Sequence, residues 1–182
     1  MKYPGGKGGA GVYHRIIGLM PPHDTYIEAF VGGGAVLLNK APAKYSIVID
    51  ADVAVAGYWQ RIAERGEVAG GALTALHGDA RAILRTYPFT GRELVYCDPP
   101  YVLSARRGGA IYRHEMTDDD HRELVSLLSS IGSAFMLSGY RNPIYDDAAD
   151  RHGWRRIDFT AMTRGGPATE SLWMNFDAPP KA

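Results

Sequence analysis

Tyr26-Ile27-Glu28-Ala29-Phe30-Val31-Gly32-Gly33-Gly34-Ala35-Val36-Leu37-Leu38 is the stretch from which the fold follows. A short apolar run leads into three glycines, and a second apolar run follows them, which predicts strand, tight turn and the first turns of a helix. Glycine lets the chain turn sharply and lets a ligand lie against the backbone without a Cβ in the way. Gly32, Gly33 and Gly34 are consecutive, so the pattern departs from the spaced G-x-G-x-x-G fingerprint of dinucleotide sites. Downstream, Ile47-Val48-Ile49-Asp50 is a second apolar strand ending in an acid, the position that holds a ribose diol in nucleotide-binding α/β folds. An Asp at a strand end also serves as a helix cap, a task for which Asp52 competes.

A third strand, Leu94–Cys97, delivers Asp98 to Pro99-Pro100-Tyr101. Each proline holds φ near −65° and carries no N–H. A carboxylate, free carbonyls and an aromatic ring on so rigid a loop can grip a planar group that bears an exocyclic NH2. Taken alone, Asp-Pro-Pro also reads as a plain turn leaving a strand.

Together, Lys2-Tyr3-Pro4-Gly5-Gly6-Lys7, Phe30-Val31-Gly32-Gly33-Gly34, Asp50 and Asp98-Pro99-Pro100-Tyr101 resemble, in that order, the Dam-type N6-adenine DNA methyltransferases. The stretch Tyr112–His121 and the ending Glu170–Asn175 resemble the compact members of that family, and the resemblance spans residues 2–176. It implies a Rossmann-like methyltransferase fold, with a seven-stranded, mostly parallel sheet covered by helices on both faces. It also implies S-adenosylmethionine as cofactor, S-adenosylhomocysteine as product, no metal, and DNA as partner. Tyr3, Lys7, Asp50 and Asp98 would contact the cofactor. On the residues themselves, Lys7 suits the methionine carboxylate, Gly32–Gly34 a close backbone approach, and Asp50 ribose hydroxyls; Phe30, which leads into that turn, is a further cofactor-binding candidate. Asp79 either accepts from the cofactor's adenine or caps the helix that follows it. By analogy the protein is cytoplasmic, from a bacterium, phage or mobile element, in a modification or defence-evasion role.

Larger family members insert a recognition domain between the positions of Asp79 and Asp98. Here only residues 80–97 separate them, too few for a domain, so no recognition sequence is carried over. A short-site reader made of the 102–116 loop and the N-terminal basic residues, low specificity, a specificity partner or a homodimer are the alternatives. Arg106, Arg107, Tyr112 and Arg113 are the candidate nucleic-acid contacts, because Arg and Tyr among glycines can reach phosphates or fill a vacated base position. A solvated basic loop is the plainer alternative.

The 182 residues predict one domain over 1–177 and a loose tail over 178–182. With 46 % hydrophobic and 22 % charged residues the composition is that of a globular protein with a real core. No apolar run reaches the ~18 residues of a membrane span. Twenty basic residues balance twenty acidic ones, which excludes a sequence-blind basic DNA coat. The single cysteine, Cys97, rules out an internal disulfide and is expected to be a small buried strand residue. His77 and His121 lack the spacing of a metal site.

Strands are predicted at 25–30, 46–50, 72–77, 94–97, 133–138, 154–160 and 170–176. Helices are predicted at 9–19, 34–40, 53–65, 80–86, 118–131 and 143–150. Asp118–Asp120 favour a helix N-terminus after Thr117, and Asn142-Pro143 forms a cap and first-turn pair. Such alternation puts ligands at the strand carboxyl ends, where Asp50, Asp79 and Asp98 would share one rim.

The expected chemistry follows from the acceptor. The lone pair of adenine's exocyclic nitrogen is delocalised into the ring. Bonds accepted by Asp98 and the Pro99 carbonyl would free it for direct in-line attack on a sulfonium methyl. In a duplex the base must first be flipped out, with Tyr101 as its stacking face. RNA adenine or cytosine N4 on the same scaffold, and a non-catalytic module that binds cofactor or nucleic acid, are the alternative functions.

Overall fold

The computed structural model describes residues 11–68, 70–106, 109, 113–163 and 166–178. Seven strands form one sheet: β1 (Thr25–Ala29), β2 (Tyr45–Asp50), β3 (Ala72–His77), β4 (Glu93–Cys97), β5 (Ala134–Gly139), β6 (Arg155–Thr163) and β7 (Gly166–Met174). Their spatial order is β3-β2-β1-β4-β5-β7-β6. The pairs among β1 to β5 are parallel, whereas β7 runs antiparallel to both β5 and β6. The order reverses between β1 and β4, and a crevice opens at such a switch point beyond the strand carboxyl ends. This is the expected sheet, and it puts the glycine turn after β1 beside the Asp-Pro-Pro-Tyr loop after β4.

Alternate residues of each strand feed two cores. Ile27, Ala29, Val95, Cys97, Phe135 and Leu137 face one side. There they pack beneath α4 (Ala80–Thr86), α5 (Asp118–Ser130) and α6 (Pro143–His152). Tyr26, Leu94, Tyr96 and Met136 face the other side, against α1 (Val12–Gly18), α2 (Ala35–Asn39) and α3 (Val53–Arg65). Burial on both faces explains why the central strands read as unbroken apolar runs.

The helix ends are those the sequence predicts. Asp52 accepts from the Ala54 N–H and opens α3, and Thr117 and Asp120 form a reciprocal capping box on α5. Asn142 caps α6, with Pro143 in its first turn. The largest boundary difference lies in the last two strands. The last two strands reach Thr163 and Gly166 as a hairpin, longer than the predicted 154–160 and 170–176. Gly165-Gly166-Pro167 reads as a loop by itself. Pro167 is tolerated because that part of β7 pairs with β6 alone.

Among the described residues no helix is long and apolar enough to cross a membrane. None of their His, Cys, Asp and Glu side chains form a group of three or more suited to a metal ion.

Candidate active site

The loop after β1 is shaped by its own backbone. Phe30 has φ +63°, the one positive φ at a described non-glycine residue, a conformation that functional sites sustain at a cost. Gly34 has φ +63°, and a Cβ there would lie 2.2 Å from the Trp59 ring, so only glycine fits. The Trp59 indole N–H donates to the Gly32 carbonyl at 3.0 Å. Asp50, at the end of β2, holds the loop from the other side. Its Oδ2 accepts the Gly32 N–H and its Oδ1 the Asp52 N–H, each at 2.9 Å. Burial raises the Asp50 carboxyl above its ordinary range, against those two bonds.

Glu28 was not legible as a site residue, yet it lines the pocket beside Asp98. It sits in the middle of β1 and is 3 % exposed. Its Oε2 accepts the Tyr26 hydroxyl at 2.8 Å and the Leu37 N–H at 2.9 Å. Among the described residues no hydrogen bond reaches Oε1. Burial, reinforced by the nearby Asp98 charge, pushes the Glu28 carboxyl up to about 8. The available signal was an acid inside a buried apolar strand, which costs stability unless something uses it.

Asp98 is half-buried, while Pro99, Pro100 and Tyr101 are buried. Asp98 and Pro100 line the same pocket as the glycine loop. The Tyr101 ring meets Tyr140 edge to face, with centroids 4.7 Å apart. Cys97 is fully buried, and burial raises its thiol far above the ordinary range. It is a core residue, as expected, and not a nucleophile.

Of the two alternatives for Asp79, the helix cap is realised. Its Oδ1 accepts the Arg81 N–H at 2.9 Å and Nε at 3.1 Å, and its Oδ2 accepts Nη2 at 2.8 Å. Asp79 still lines the pocket, but with both oxygens engaged by Arg81. Asp120 and Glu123 also bind that guanidinium. The pocket, of about 330 Å³, is therefore rich in carboxylates: Glu28, Asp50, Asp79, Asp98, Glu115 and Asp120 line it against Arg81 and His114.

In the 102–116 connection one of the expected contacts, Arg106, is engaged within the chain. Arg106 is held bidentately by Glu115, with its side chain 6 % exposed, so it is not presented to a phosphate. Arg113 is exposed and reaches Asp52 at 3.6 Å. His114, Glu115 and Met116 line the pocket, a use that the loop's glycines and charges did not announce. Arg107 and Tyr112, like Tyr3 and Lys7, lie outside the described residues.

No family model and no curated protein matches the chain. Solved structures do match. A precorrin-8w decarboxylase from Methanobacterium thermoautotrophicum superposes with a TM-score of 0.61 at 16 % identity, covering 94 % of this chain and 92 % of the other. TrmK from M. capricolum, in complex with S-adenosylhomocysteine, gives 0.62 at 7 % identity over 91 % and 67 %. Magnesium protoporphyrin IX methyltransferase from Synechocystis, with bound S-adenosylmethionine, gives 0.54 at 15 % over 84 % and 70 %. The chain has the Rossmann-like methyltransferase fold. At these identities the likeness is one of architecture, and the chemistry of the site has to be argued from its residues.

Proposed function

We propose that the protein transfers the methyl group of S-adenosylmethionine to the N6 amino group of adenine in DNA. The observation that carries this reading is the placement of the Asp98-Pro99-Pro100-Tyr101 loop at the sheet's switch point, with Asp98 and Pro100 lining one carboxylate-rich pocket together with the Gly32–Gly34 loop. The residues fit the cofactor. The glycine loop offers a backbone surface whose turn at Gly34 packs on Trp59 without room for a Cβ, Asp50 retains lone pairs for ribose hydroxyls, and Glu28 lines the same pocket. Tyr3 and Lys7 keep the cofactor roles that the family resemblance implies. When bound, the cofactor supplies an electrophilic methyl group on a sulfonium.

The chain's own residues do the rest. Asp98 and the Pro99 carbonyl accept hydrogen bonds from the acceptor NH2 and free its lone pair, and Asp98 stabilises the positive charge that forms on nitrogen. Orientation and fixed charge supply the rate. Tyr101 offers the face on which a flipped base stacks. DNA recognition falls to the exposed Arg113 and to Arg107 and Tyr112, with a specificity partner or second copy as the alternative source.

The test is transfer from labelled S-adenosylmethionine to unmethylated genomic DNA, with structured RNA in parallel and products identified as nucleosides by mass spectrometry. N6-methyldeoxyadenosine that disappears with Asp98→Ala is the expected result. Methyl label in RNA alone would move the acceptor to RNA. No transfer to either polymer, with cofactor bound, would overturn the enzymatic reading.

A further inference from the structure

We propose that Tyr140, in the segment after β5, is the positioning residue that sets the plane of Tyr101. The inference rests on the acceptor chemistry proposed above and adds a residue to it. Tyr101 and Tyr140 follow neighbouring parallel strands, β4 and β5, and so emerge at the same rim. Their ring planes stand at 73°, with centroids 4.7 Å apart. Tyr101 is 9 % exposed and Tyr140 half-buried, so the contact between the two rings is largely shielded from water. An edge-to-face neighbour holds a ring in one orientation. A stacking face works best when its plane is set before the base arrives, because a ring that must be ordered on binding weakens the complex.

The segment that carries Tyr140 is itself restrained from several directions. Asn142 Nδ2 donates to the Tyr140 carbonyl at 2.9 Å, while its Oδ1 accepts the Tyr145 N–H at 3.0 Å. Arg141 forks onto Asp146 at 3.1 and 3.2 Å. Asp146 also accepts from Arg156 at 2.8 Å and from the Trp173 indole at 3.3 Å. At Gly139 a Cβ would lie 3.1 Å from the Tyr145 ring and 3.4 Å from Trp173, so the strand end rests flat on two buried rings. Tyr145 is fixed in turn by His121 Nδ1 at 2.8 Å. Capping α6 requires only the Asn142 Oδ1 bond. The Asn142 Nδ2 bond acts on the Tyr140 backbone itself, and a supporting layer of this kind is what holds a functional ring within tolerance.

Tyr140→Leu and Tyr140→Phe, assayed with saturating cofactor and a DNA titration, test the inference. Tyr140→Leu is expected to lower kcat about three- to tenfold, the range an aromatic pair is worth. Cofactor affinity and Tm should stay near wild type, and Tyr140→Phe should restore turnover. A Tyr140→Leu enzyme with wild-type kcat and KM for DNA would overturn the inference while leaving the proposed function intact. So would a loss that Tyr140→Phe shares in full, since that assigns the effect to the hydroxyl. A Tyr140→Leu loss that tracks a lowered Tm would reduce Tyr140 to a stabilising residue and equally overturn it. A wild-type protein that methylates no polynucleotide would fail the function itself, and the two failures are distinguished by that control.

Discussion

Replacing Glu28 by Gln should make the folded protein more stable at neutral pH and a worse binder of its cofactor. The carboxyl has an unfolded value of 4.5 and is pushed up to about 8 in the fold. A raised acid contributes stability that is present below the unfolded value and is lost as pH rises toward the folded one. At pH 7 the chain is 2.5 units above 4.5, and at 1.36 kcal/mol per unit the fold carries a penalty of about 3 kcal/mol. At pH 5 the same arithmetic leaves about 1 kcal/mol. A Gln amide oxygen can accept from both Tyr26 and Leu37, as Oε2 does, so the exchange removes the ionisation and little else. Urea denaturation at pH 5 and pH 7 should therefore show a stabilisation that grows with pH. Calorimetric titration at pH 8 should show cofactor affinity reduced about tenfold or more, the worth of a hydrogen bond to a charged group. A variant equally destabilised at both pH values, or one that binds the cofactor as wild type does, would refute the account of Glu28.

Other consequences can be checked separately. His121 is buried and neutral, held down to about 4 chiefly by burial, so its contribution is present above 6.5 and is lost as pH falls toward 4. Between pH 7 and pH 5 that loss reaches about 2 kcal/mol; it opposes the Glu28 slope, and Glu28→Gln should expose it as steep acid destabilisation. Gly34→Ala would force a Cβ onto the Trp59 ring at positive φ and should cost about 2–4 kcal/mol in denaturant titration. Asp50→Asn must turn its NH2 toward either the Gly32 or the Asp52 N–H, with an expected loss of about 1–3 kcal/mol and weaker cofactor binding. Cys97→Ala, at a buried thiol, should keep transfer activity within about twofold while losing some stability, and a dead but folded variant would reinstate the thiol as a nucleophile.

Local signals accounted for the strands, the helix caps and the sheet's handed alternation. Apolar runs, the Gly32–Gly34 turn, Thr117 with Asp120 and Asn142-Pro143 are encoded within a few residues of where they act. That Asp50 and Asp98 would line one pocket was legible for the same reason. Asp50 and Asp98 end strands, and parallel strands bring their carboxyl ends to one rim. Asp79 showed the limit of that reasoning. Its position was right for the rim, but Arg81, Asp120 and Glu123 claimed the surroundings, and two of those three come from another helix.

What the sequence determined by itself was the set of elements and the motif pair that the crevice would join. Only the tertiary structure decided which charged groups remain available. Arg106 looked like a free basic contact until Glu115 was found holding it. Glu28 looked like one residue of a strand until its burial beside Asp98 gave it a perturbed carboxyl. Tyr140 acquired a role only when β4 and β5 became neighbours. The physical reason is common to all three. Backbone conformation depends on near neighbours in the chain, whereas desolvation and Coulomb interaction depend on whatever the fold brings within a few ångströms.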